Sequence, residues 1–179
     1  MSTLLLRRRG PRGVVLLALL IALTLLGIGL MAASDVWALA RQREQERQLL
    51  FAGTQYRDAI LRYYHAAPPG TPKVLPRGIK DLLDDDRFPM PVHHLRRAYA
   101  DPMGGDDWGE LRIAGRLAGV YSRSERAPVK LKGFAPGFEP FEGRASYREW
   151  VFAVSPQGQP TYVNPDALQP PGTARRTPS

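Results

Sequence analysis

The chain has 179 residues, a formal net charge of +8 and no cysteine. Less one long apolar run, that length leaves room for a single small domain of about 100 residues with tails. The missing cysteines exclude a disulfide scaffold, a CxxC zinc site and thiol chemistry. The basic excess is spread along the chain rather than gathered in one stretch, so no nucleic-acid partner is expected.

Residues 1–13 form a leader whose only charges are Arg7, Arg8, Arg9 and Arg12, a composition typical of targeting segments. Val14 to Ser34 follows with no charged side chain. A run of 18 or more apolar residues is long enough to cross a bilayer as a helix, about 20 being typical. Within lipid a helix satisfies its own backbone groups. The arginines before the run place the N-terminus in the cytoplasm and everything beyond Asp35 outside it, by the positive-inside rule. The alternative is a secretory signal peptide cut near Ala32-Ala33-Ser34. Against it, the run exceeds the about 7–15 residues of a signal-peptide core.

Residues 35–67 continue the helix. Arg41 to Gln48 is polar on every face, with Arg41/Glu44, Arg43/Glu46 and Glu44/Arg47 at the i,i+3 spacing of a solvated helix. From Leu49 the pattern becomes Leu49, Gly53, Tyr56, Ile60 and Tyr63, one apolar stripe that needs a packing partner. Pro68-Pro69-Gly70 stops the helix.

Residues 68–163 then read as a small α+β domain. Leu75 to Leu83 predicts a short helix with Pro76 in its first turn. Asp84-Asp85-Asp86 reads as its solvated end. His93-His94 diverge as neighbours and lack a third ligand at zinc spacing. Asp101 to Asp107 is turn-rich. Asp106, Asp107 and Glu110 bring oxygen ligands together, without the spacing of an EF-hand loop. Trp108–Ile113 and Leu117–Ser122, joined by a short loop containing Gly115, predict an antiparallel hairpin. Residues 123–146 read as basic, Gly/Pro-rich loop. A second hairpin is predicted from Tyr147–Val154 and Thr161–Val163 across a Pro/Gly turn. The tail, residues 164–179, has no apolar periodicity and is expected to be disordered. No Ser/His/Asp order, phosphate loop or spaced carboxylate pair stands out, so no enzyme is expected.

A basic leader ending in Gly13, an apolar helix that starts at once and a small antiparallel sheet resemble the layout of type IV pilin-like proteins. The resemblance is to the pseudopilins of type II secretion systems. Its more specific part lies in Leu75-Pro76, Ile79, Asp81-Leu82-Leu83, Asp84 to Arg87, Leu95 to Met103, Trp108-Gly109 and Gly119-Val120-Tyr121-Ser122. The turn motif is Asp101, Pro102 and Trp108.

The resemblance implies a pilin-like α+β fold, with a long N-terminal helix packed on the sheet. It also implies a prepilin peptidase cut between Gly13 and Val14, with N-methylation of Val14, and an inner-membrane location with the domain in the periplasm. The implied partners are other pseudopilins or pilin-like subunits. The family's docking glutamate, five residues into the mature helix, falls here on Ala18, a departure consistent with a minor component or an unprocessed anchor. Gly27 falls where family helices often carry a helix-weakening glycine, and Gly27-x-Gly29 would allow local melting or close helix approach. Major pseudopilins hold calcium in a late loop, but here the loop is Arg123-Ser124-Glu125-Arg126, with one acid among arginines. No cofactor is therefore expected.

Overall fold

A computed structural model describes residues 12–105 and 107–161. The protein is α+β. Helix α1 spans Arg12–His65 and α2 Ile79–Leu83; strands β1 (Gly109–Ile113), β2 (Arg116–Tyr121), β3 (Val151–Val154) and β4 (Pro160–Thr161) follow. The four strands form one antiparallel sheet in the order β1-β2-β3-β4. The chain divides into two units, one ending at Arg41 and one beginning at Gln42.

In the first unit the described part is helix alone. Its large apolar side chains from Val14 to Ile28 are exposed, from 53% at Ile21 to 69% at Val14. Among the described residues no helix is long and apolar enough to cross a membrane. The described side chains of the uncharged run stop at Ile28, short of the about 20 residues a bilayer core requires. The leader before Arg12 and the tail, residues 164–179, lie outside the described residues.

In the second unit, the stripe read from the sequence is the buried face of α1. Leu49, Tyr56, Ile60 and Tyr63 are buried, and Ala52 and Ala59 widen the stripe. Small residues let the sheet come close: a Cβ on Gly53 would lie 2.3 Å from the ring of Phe152 on β3. Trp108 sits edge-on to both Tyr56 and Phe152, with ring centroids 5.4 and 6.3 Å apart. Helix and sheet thus meet through aromatic rings, whose burial supplies much of the energy of a small core.

Four expectations outside the sheet need correction. The Arg41–Gln48 octet is not solvated all round. Glu46 is buried, and it accepts hydrogen bonds from the backbone N–H groups of Val129 and Lys130 at 2.6 and 3.0 Å and from the Tyr147 hydroxyl at 2.9 Å. Those donors lie far along the chain, so local charge spacing does not reveal them. Second, α2 begins at Ile79. Leu75 and Pro76 precede it and are buried, and their carbonyls accept from Arg116 Nη1 and the Leu117 N–H, both at 2.8 Å. Third, Asp85 is buried between exposed Asp84 and Asp86, so the acidic triplet is not simply a solvated helix end. Fourth, residues 123–146 add to the core through Phe141, which stacks on Trp150 at 5.5 Å with ring planes 3° apart.

The first hairpin forms as expected. Ala114 and Gly115 both have positive φ, 49° and 77°, as in the type I′ turns that suit strand twist. The β1–β2 register shifts between Leu111 and Arg112, so Leu111 faces Gly119 while Arg112 faces Leu117. Ala118 has no partner, and this bulge breaks the simple alternation of inward and outward residues. The second hairpin is shorter than read. Tyr147–Glu149 is a 3-10 turn, because the Tyr147 and Arg148 N–H groups donate to the Arg126 and Ser124 carbonyls at 3.1 and 3.0 Å instead of to a strand. β4 opens on Pro160, opposite Val154.

Candidate assembly surface and the networks beneath it

The residues singled out in the sequence fall into two groups that lie in separate units. Gly13, Val14 and Ala18 are exposed on α1, and Gly27 has no neighbour within 4 Å of the place a Cβ would take. The surroundings of Gly29 lie outside the described residues. Gly13 and Val14, where the leader cut was read, stand in the first turn of α1. This group is surface, and every one of its members in the described stretch lacks a burying partner within the chain.

The turn motif is interior support. Asp101 is buried and accepts from the Met103 N–H at 2.9 Å, the Ser122 hydroxyl at 2.7 Å and the Arg123 N–H at 3.2 Å. A carboxylate that takes three donors fixes the chain on both sides of it. Gly104 is required there, since a Cβ would lie 2.3 Å from Asp101 Oδ2. Pro102 is half-buried in the same turn. Trp108 is buried and donates from Nε1 to the Tyr99 carbonyl at 2.9 Å. The Tyr56 hydroxyl donates to that carbonyl and accepts from the Tyr99 N–H, both at 2.9 Å. The motif residues thus belong to two adjacent sets of bonds: Trp108 and Tyr56 hold the Tyr99 backbone to α1, and Asp101 holds its own turn to the end of β2.

A second network has no signature in the sequence. The Asp85 side chain is fully buried and chelates Arg87, with Nε to Oδ1 at 2.8 Å and Nη2 to Oδ2 at 2.6 Å. His94 Nε2 donates to Asp85 Oδ2 at 2.9 Å. The Arg87 guanidinium lies 3.5 Å from the centre of the Tyr63 ring and also donates to the Tyr63 carbonyl at 2.7 Å. Burial alone raises the Asp85 pKa, but the hydrogen bonds from Arg87 and His94 outweigh it and bring it from 3.8 down to about 2. Asp, Arg and His are each ordinary in a polar loop, so only the contact with Tyr63 distinguishes them. His93, by contrast, is exposed and bonds the Leu83 carbonyl through Nδ1.

Among the described residues no group of three or more His, Asp or Glu side chains converges as a metal site. Asp107 is exposed, and Glu110 pairs with Arg112 at 2.5 Å. Asp106, the third of these oxygen ligands, lies outside the described residues. The buried acids Glu46, Asp85 and Asp101 are all occupied by protein donors, which makes them structural anchors.

No family model, curated protein or solved structure matches this chain.

Proposed function

We propose that the chain is a pseudopilin-like structural subunit of a type II secretion or type IV pilus-type system. In this reading it is a minor component, not an enzyme, and it is held in the inner membrane by α1 with its α+β domain in the periplasm. The observation that carries the reading is the contrast along α1. From Leu49 onward the helix buries a stripe against its own sheet, whereas from Val14 to Ile28 eleven large apolar side chains stand exposed around the whole helix. Burying each such side chain is worth about 1.5–3 kcal/mol, so that segment calls for lipid or other helices on all sides. Pseudopilins and pilins use a helix of this kind twice, first as a membrane anchor and then as the packed centre of a fibre. The partners are other pilin-like subunits and, before assembly, the prepilin peptidase.

Ala18 favours a second reading, a static membrane anchor of the same topology. A carboxylate at that position is the group that would pair with a neighbouring subunit's terminal amine, and an alanine has none to offer. Mass spectrometry of the N-terminus, on protein extracted from membranes, separates the readings. A methylated Val14 is the expected result. An intact Met1 supports the static anchor, and a terminus near Asp35 means secretion after signal-peptide removal and defeats both.

A further inference from the structure

Of the three tryptophans, Trp108 and Trp150 are buried in the core, whereas Trp37 is 72% exposed. Among the described residues no ring or hydrogen-bond partner holds it. An indole is mostly hydrocarbon with one N–H donor, and it is poorly placed in bare water. Trp37 belongs to the first unit, on α1, shortly beyond the uncharged run that ends at Ser34 and one turn before Arg41, where the charged octet opens. Its distance from the start of the helix decides what it can meet. At about 1.5 Å per residue it lies about 37 Å along α1 from Arg12 and about 35 Å from Val14. A bilayer has about 30 Å of hydrocarbon and about 40–45 Å with its headgroups. Both lengths fall between those values, whether or not the leader is cut at Gly13. When the start of α1 stands at one face of the hydrocarbon, Trp37 therefore stands in the headgroup layer of the other, and a tilt of about 20° shortens the span by only about 2 Å.

On the membrane reading of α1, on which this rests, we infer that Trp37 is an interfacial anchor. Its ring lies among the glycerol and carbonyl groups of the phospholipids on the side away from Arg12, and its Nε1–H donates to their oxygens. Indole suits that layer because it is apolar in body and polar at one edge, and tryptophan is enriched there. An apolar face of a neighbouring helix would cover the ring but leave the N–H unpaired, at a cost that lipid carbonyls and phosphates remove by accepting from it. The position is also specific. Leu39 is 43% exposed but carries no donor, so of the described side chains between Ile28 and Arg41 only Trp37 can meet hydrocarbon and lipid oxygen at once. The anchor serves the membrane-resident chain, before any fibre forms.

The test uses the full chain in phosphatidylcholine vesicles that carry a nitroxide either near the acyl carbonyl or at the acyl end. Each is compared with the Trp37→Phe variant, so that Trp37 emission is the difference and the buried Trp108 and Trp150 stay in place. The label near the carbonyl should cause the greater loss of that emission, and iodide in the water should cause little. The chain has no cysteine, so Ser34→Cys offers a single thiol. Its rate of reaction with a membrane-impermeant maleimide should rise severalfold when Trp37→Ala removes the hold on the interface. Greater quenching by the acyl-end label, or quenching by iodide alone, overturns the interfacial placement, while flotation of the chain with the vesicles keeps the membrane reading intact. An unchanged thiol rate overturns the anchoring role. Failure of the chain to float with the vesicles overturns the membrane reading, and this inference with it.

Discussion

Asp85 illustrates how far one side chain depends on its partners. Its carboxylate is withdrawn from water and held ionised by Arg87 and His94, with a pKa lowered from 3.8 to about 2. A group whose folded pKa lies below its unfolded value stabilises the fold above the unfolded pKa, and that contribution is lost as pH falls through the folded one. Here the window runs from about pH 4 down to about pH 2, and the loss expected is about 2 kcal/mol. Acid melts of the full chain in detergent, followed by near-ultraviolet circular dichroism, should show this loss in the wild type. Asp85→Asn should be less stable at neutral pH by about 3 kcal/mol, because it leaves the Arg87 charge half-buried without its counter-ion. It should also lack this part of the acid slope. Equal acid slopes in the two proteins would refute the assignment. Nothing in the triplet Asp84-Asp85-Asp86 tells which acid is buried; that depends on where Arg87 meets the Tyr63 ring.

At the scale of elements, the contact between α1 and β3 hinges on Gly53. Alanine there gains about 1 kcal/mol of helix propensity. Its Cβ, however, would lie 2.3 Å from a Phe152 ring that is 1% exposed and hemmed in by Trp108, Phe138 and Phe141. Overpacking of this kind costs about 1–3 kcal/mol. Thermal melts should therefore place Gly53→Ala below the wild type, and Phe152→Leu added to it should recover part of the loss. A Gly53→Ala protein as stable as the wild type would mean that the helix–sheet contact is looser than described.

What was legible at this scale was whatever repeats locally. The Leu49 to Tyr63 stripe, the helix stop after His65 and the first hairpin all follow from spacing and turn residues. The inward turn of Glu46, the strand lost to the Tyr147–Glu149 turn and the burial of Phe141 depend on groups distant in sequence. Their patterns, a charged octet and a Gly/Pro-rich loop, resemble solvent-facing chain. Of the turn motif, Trp108 holds the Tyr99 segment and Asp101 its own turn, through partners that the sequence does not place beside them.

For the molecule as a whole, the proposed assembly turns on Ala18. Under the pseudopilin reading, Ala18→Glu supplies the carboxylate that a neighbouring subunit's methylated terminus would pair with. Membrane insertion should change little, and crosslinking of the chain to co-assembled subunits in intact membranes should rise. Unchanged crosslinking would count against docking through this position. The apolar segment that prompts the reading was evident in the sequence from its uncharged length. Whether it meets lipid or other helices depends on molecules outside the chain.

The sheet has a bearing on how copies of the protein associate. An open strand edge is a template on which another chain can pair and grow. At one edge β1 carries the ion pair of Glu110 and Arg112 beside the bulge that leaves Ala118 unpaired. At the other, the two described residues of β4 open on a proline that has no N–H to offer. Strand addition is discouraged at both described edges, so the α+β domain is guarded against amyloid-like self-pairing. Under the pseudopilin reading, orderly association is thereby left to the helix.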